Sequence, residues 1–209
     1  MNLPNKLTIF RILLVPVMII IPLLNIQGDI WGIPITALII DAIFIMASIT
    51  DKLDGYIARS RNQITNFGKF LDPIADKILV IVAMIILVEM GKLPAWIPSI
   101  VIFREFVVSG YRLIAVESGG KVIAASIWGK LKTVTQMLAI IIAFIDVNKF
   151  GEIFKIFNNQ TVQNTMFGNN TVTLIINGIT TALMIISVIA TIISGLDYIK
   201  NGKDLIKDK

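Results

Sequence analysis

The sequence predicts an all-α integral membrane protein with six transmembrane helices and both termini in the cytoplasm. Three observations carry that prediction. Of 209 residues, 56% are hydrophobic and the mean hydropathy is +0.82, where a soluble domain holds about 45–50% apolar residues. Six apolar runs approach the ~20 residues that cross ~30 Å of hydrocarbon. The basic residues are also sorted, with 16 of 19 in segments that share one side of such a bundle. A single domain over residues 1–209 is expected.

The first run, "TIFRILLVPVMIIIPLLNI" (8–26), is too long for the core of a cleaved leader, and no small-x-small site follows closely, so a retained helix is expected. The second is "IPITALIIDAIFIMASI" (33–49) and the third "ILVIVAMIILVEM" (78–90). The fourth and fifth are "LPAWIPSIVIF" (93–103) and "TVTQMLAIIIAFI" (133–145), and the sixth covers 171–196. Runs three to five are short and must borrow length from polar flanks. "NIQGDIWG" and "EMGKLP" read as short outer connectors. The outer segment 146–170 is longer and rich in asparagine, and its "FGEIFKIF" reads as ordinary loop or as a short interfacial helix.

Orientation follows from Lys and Arg placement. Lys6 and Arg11 precede or open the first run, and Lys52, Arg59, Arg61, Lys69 and Lys77 lie between the second and third. Arg104, Arg112, Lys121, Lys130 and Lys132 lie between the fourth and fifth, and four lysines end the chain. Only Lys92, Lys149 and Lys155 fall opposite. The segment 51–76 should therefore be cytoplasmic. A multi-pass protein of the cell membrane is expected, with no nucleic-acid partner.

The chain has neither cysteine nor histidine. That excludes disulfides, thiolate nucleophiles and cysteine-held zinc, and it removes the commonest general base. Acid–base or metal work falls to carboxylates, which suit hard ions such as magnesium or manganese.

The charged stretch "DKLDGYIARSRNQITNFGKFLDPIAD" (51–76) is where such work belongs. If the second helix continues past Ile49, Asp51, Asp54, Gly55, Ala58 and Arg59 share an arc of about 140°. The glycine lets backbone approach a ligand closely. Gly68, Asp72 and Asp76 form an i, i+4, i+8 stripe on a further helix, with Asp72 as its cap and Pro73 in its first turn. Four carboxylates brought together repel and raise one another's pKa unless cations compensate. One or two divalent ions are the simplest compensation.

The pattern D-x-x-D-G-x-x-A-R, eight residues, then G-x-x-x-D-x-x-x-D resembles the signature of the CDP-alcohol phosphotransferases, with all eight fixed identities present. The resemblance implies a six-helix membrane enzyme, a homodimer, that uses a pair of Mg2+ or Mn2+ ions to move a phosphatidyl or similar group from a CDP-linked donor to an alcohol, releasing CMP. It implies Asp51, Asp54, Asp72 and Asp76 as metal ligands, with Asp76 also the catalytic base. It implies Asp54, Gly55, Ala58, Arg59 and Gly68 at the cytidine diphosphate.

The second basic cluster bears on the alcohol. Arg104 and Arg112 lie eight residues apart, a helical stripe, and Lys130 and Lys132 open the fifth helix. Such a group suits a second phosphate, which arginine can hold in a fork. "LPNKLTIFR", "REFVVSGYR", "GKLKT" and "SGLDYIKNGKDL" are similar to the phosphatidylglycerophosphate synthase branch of the family. That branch implies CDP-diacylglycerol as donor and sn-glycerol 3-phosphate as acceptor, its phosphate met by Arg104, Arg112, Lys130 and Lys132. Phosphatidylglycerol, inositol phosphate or serine as acceptor is the alternative within the family. A small ion-coupled transporter is the alternative outside it, although only Asp41 lies well inside an apolar run, where such proteins keep their acids.

Overall fold

The computed structural model describes residues 2–60, 66–117, 127–158, 166 and 168–201. Six long helices carry the fold: α1 (Leu3–Leu23), α2 (Ile35–Ser60), α3 (Asn66–Glu89), α4 (Trp96–Glu117), α5 (Ile127–Ile145) and α6 (Asn170–Asn201). The main packing runs α5 along α6 and α1 along α2 and α3, with α4 against α6 and α2 against α5. Their shared core holds Met18, Phe44, Met84, Leu87, Ile97, Ile140, Phe144 and Met184, all buried.

Three of the helices are long and apolar enough to cross a membrane by length and composition: Pro4–Leu23, Ile127–Ile145 and Asn170–Lys200. The other three carry Asp51 and Asp54, Asp72, Asp76 and Lys77, and Arg104 and Arg112. Most of the candidate chemistry thus lies on the helices that read as less membrane-like, with Lys130 and Lys132 on the apolar α5.

Two local expectations need correction. Pro73 does not sit in a first turn and Asp72 is no cap, because α3 begins at Asn66 and Pro73 lies inside it. Proline removes one i→i−4 hydrogen bond there, and the helix continues through it. The connector 25–32 is not plain loop either. Asp29–Ile30 (β1) pairs antiparallel with Ile33–Pro34 (β2), and the turn residues Trp31 and Gly32 both have positive φ, 57° and 84°. That is the backbone of a two-residue hairpin turn, braced by Gly32 N–H donating to Asp29 Oδ2 at 3.0 Å.

Within the segment 146–170, "EIFKIFN" forms a 3-10 helix, Glu152–Asn158. It is tied to α6 by Ile153 N–H donating to Asn177 Oδ1 at 2.8 Å. Asp146, buried, accepts from Asn177 Nδ2 at 2.9 Å. Residues 159–165 and 167 of this segment lie outside the described residues.

Candidate active site

α2 runs unbroken through Ser60, so Asp51 and Asp54 do lie on one continuing helix. α3 contains Gly68, Asp72 and Asp76 in one register. The four aspartates are gathered by α1. Arg11 Nη1 is 2.8 Å from Asp51 Oδ1 and 2.8 Å from Asp76 Oδ1, and its Nη2 is 2.5 Å from Asp54 Oδ2. One turn earlier, Thr8 Oγ1 donates to Asp72 Oδ1 at 2.8 Å. Arg11 and Thr8 are both buried. The side chains of Ala58 and Arg59 lie outside the described set.

Access differs among the acids. The Asp54 side chain is 5% exposed, Asp51 35% and Asp76 51%, so Asp76 is the most open of these three. All lie beyond the apolar runs. Burial, with repulsion from Asp51 and Asp72, lifts Asp54 from 3.8 to about 6 despite Arg11.

A cavity of about 430 Å³ joins this acidic cluster to the basic one. Asp51, Asp72 and Asp76 line one part, and Lys77, Arg104, Glu105, Arg112, Lys132 and Tyr198 line another. Tyr198, buried on α6, is a platform for both arginines. Its ring centroid is 5.8 Å from the Arg104 guanidinium carbon and 5.5 Å from that of Arg112, close enough for cation–π attraction. Arg112 Nη2 also donates to the Tyr198 hydroxyl at 2.7 Å, and Arg104 Nη2 to Ser194 Oγ at 2.5 Å. Glu105 is the counter-ion here. It pairs with Lys132, with Arg104 Nη1 at 2.8 Å and with Lys77 at 3.8 Å. The three cations together offset the charge of this largely buried carboxylate.

The chain is similar to known proteins. A family model described as CDP-alcohol phosphatidyltransferase matches residues 1–194. The chain belongs to the CDP-alcohol phosphatidyltransferase family. It is 48% identical over 147 residues to a relative from Bacillus subtilis (strain 168), covering 66% of this chain and 74% of that one. A relative from Haemophilus influenzae is 43% identical over 143 residues, 66% of this chain and 73% of its own. One from Pseudomonas fluorescens is 41% identical over 149 residues, 68% and 71%. All three are named CDP-diacylglycerol–glycerol-3-phosphate 3-phosphatidyltransferase.

For a CDP-alcohol phosphatidyltransferase, the donor set fits hard divalent ions: oxygen ligands only, several of them charged. Three carboxylates, Asp51, Asp54 and Asp76, converge on one guanidinium, an arrangement that further positive charge would favour. Among the described residues no three acidic groups already form a ligand cluster of their own; what Asp51, Asp54 and Asp76 share is the Arg11 guanidinium.

Sequence reasoning missed Arg11, Thr8, Glu105 and Tyr198. Arg11 looked like an ordinary positive-inside residue, and Tyr198 only part of the branch-like "SGLDYIKNGKDL". Of the four proposed phosphate cations, Arg104, Arg112 and Lys132 line the cavity. Lys130 does not; it is exposed on α5. Two residues along a helix are about 200° apart, so Lys130 and Lys132 start from opposite faces of α5. Lys121 lies outside the described residues.

Proposed function

We propose that this enzyme transfers the phosphatidyl group of CDP-diacylglycerol to sn-glycerol 3-phosphate, giving phosphatidylglycerophosphate and CMP. The observation that supports it is the single cavity with Asp51, Asp72 and Asp76 along one part and Arg104, Arg112 and Lys132 along another. Two anionic substrates need two such regions. The acidic part suits the pyrophosphate through divalent cations, and the basic part suits a phosphate directly.

Asp51, Asp54, Asp72 and Asp76 would hold Mg2+ or Mn2+, two ions in this reading. Bound there, they would offset the charge of the pyrophosphate and of the oxygen that leaves with CMP. The chain's own residues do the rest. Arg112 and Arg104, held on Tyr198, bind the acceptor's phosphate in forks. Asp76, open to the cavity, takes the proton from the acceptor hydroxyl at a carboxylate oxygen. The hydroxyl oxygen bonds to the phosphorus nearer the diacylglycerol, and the bond from that phosphorus to the CMP oxygen breaks. Gly55, Ala58, Arg59 and Gly68 line the place of the cytidine diphosphate.

Six spans, cytoplasmic termini and a homodimer complete the reading. All six helices carry exposed large apolar side chains, among them Leu13, Ile49, Ile85, Phe103, Leu138 and Ile186, as a lipid-facing surface requires. The deciding experiment incubates the purified protein with CDP-diacylglycerol, Mg2+ and one alcohol at a time. CMP should appear with sn-glycerol 3-phosphate; CMP release with phosphatidylglycerol, inositol phosphate or serine in its place would assign a different acceptor.

A further inference from the structure

The mechanism above gives work to the four aspartates but none to the side chain that collects them. Arg11 has no exposed side-chain surface. From α1 it reaches carboxylates on two other helices, at 2.8 Å to Asp51, 2.5 Å to Asp54 and 2.8 Å to Asp76. A guanidinium keeps its charge and presents its donors in a rigid fork. It therefore both offsets the repulsion among these acids and fixes their spacing.

We infer that Arg11 is a built-in counter-ion: it assembles the acidic cluster before any divalent cation arrives, competes with that cation for the oxygens of Asp51, Asp54 and Asp76, and so sets the affinity of the site. The inference rests on the metal reading of the aspartates given above. Two observations favour competition over simple bracing. The guanidinium nitrogens occupy one oxygen each of Asp51, Asp54 and Asp76, three of the four carboxylates that the metal reading assigns to a dication. In addition, Arg11 Nε is buried without an acceptor, so the head group is anchored by those carboxylates alone among the described residues. Asp72, by contrast, is held by the neutral Thr8 hydroxyl. The buried positive charge of α1 is thus placed where three acids meet.

Competition and bracing differ in the sign of one measurement. The full-length protein in detergent, stripped with chelator, is titrated with Mn2+, following free Mn2+ by electron paramagnetic resonance. Thermal unfolding is recorded with and without the ion. Arg11→Met should melt lower than wild type without Mn2+, yet bind Mn2+ about tenfold or more tightly, the response to roughly one unit charge removed at contact distance. Its melting temperature should then rise more on Mn2+ addition than that of wild type, by mass action. A merely structural role would weaken the binding along with the fold.

Equal or weaker Mn2+ binding by Arg11→Met overturns the inference. If that variant does not survive stripping, Arg11→Lys decides in its place, since a point charge without the fork holds three acids less well. It should bind Mn2+ several-fold more tightly than wild type, and equal or weaker binding again overturns the inference. Failure of the wild type to bind Mn2+ at all removes the metal reading and this inference with it. Wild-type binding that the variants leave unchanged removes this inference alone.

Discussion

Arg112 donates from Nη2 to the phenolic oxygen of Tyr198 at 2.7 Å, joining α4 to α6. The bond fixes where the guanidinium can present its remaining donors. Tyr198→Phe keeps the ring beneath Arg112 but removes this acceptor. A hydrogen bond to a charged group contributes about 1.5–3 kcal/mol, and ~1.4 kcal/mol is tenfold. The KM for sn-glycerol 3-phosphate should therefore rise roughly tenfold, with the KM for CDP-diacylglycerol unchanged. Arg112→Ala should raise it further. Steady-state CMP release against each substrate reads this out, and a rise confined to the donor KM would move Tyr198 and Arg112 out of the acceptor pocket.

Lys130 and Lys132 separate two readings of one basic segment. Lys132 is buried against Glu105, while Lys130 is exposed. Truncating one partner of a buried charge pair costs about 2–5 kcal/mol, so Lys132→Ala should lower kcat/KM for the acceptor by about 30-fold or more. An exposed charge is worth ~1 kcal/mol at most, and Lys130→Ala should leave activity within about fivefold. Equal losses in the two variants would show that Lys130 also reaches the substrate.

Asp76 carries the proton in the proposed reaction. Asparagine has the same shape but cannot take a proton, so Asp76→Asn should slow CMP release by about 10²–10⁴-fold while the protein still inserts. Asp72→Asn should also abolish turnover. Chelation should stop the wild type, with Mg2+ or Mn2+ restoring it. Turnover that persists through exhaustive chelation would end the divalent-ion mechanism, and an active Asp76→Asn would end the base assignment.

At the opposite end of the bundle, Lys92 donates to the carbonyls of Phe144 at 2.6 Å and Ala143 at 3.3 Å, at the end of α5. Burial lowers its pKa from 10.5 to about 8, although Asp146 and Asp41 pull it upward. The folded state then holds fewer protons than the unfolded state between those two values, so this group's contribution to stability grows as pH rises from about 8 to 10.5 and is lost as pH falls through 8. Lys92→Met should lack that rise. Melting temperatures of the two proteins in detergent, compared at pH 8 and pH 10, test it, and parallel curves would refute it.

What could be read in the chain was what helical spacing decides. Asp51 and Asp54, or Gly68, Asp72 and Asp76, sit three or four residues apart, so one helix settles their relationship without reference to the rest of the fold. Arg11 could not be read this way, because its partners are 40 to 65 positions distant and a basic residue opening an apolar run is already accounted for by ordinary charge bias between the two sides of a membrane. Tyr198 was hidden for the same reason, since its partners Arg104 and Arg112 lie on α4. Lys130 and Lys132 were legible as basic residues but not as different environments: the phase of α5 puts Lys132 on the stripe of Gln136, also buried, and Lys130 on the exposed side. Pro73 misled because proline's preference for a first turn gave way to a longer helix.

The contacts of Thr8 and Arg11 also bear on biogenesis. Their partners, Asp51, Asp54, Asp72 and Asp76, are translated 40 to 65 residues later. A nascent first span therefore meets the bilayer with an unmatched guanidinium, which is expensive in hydrocarbon, and must keep that end at the headgroups until the next two helices emerge. Maturation of the catalytic centre and final seating of the opening helix are then one event, so a ribosome-stalled intermediate ending before residue 77 should lack both.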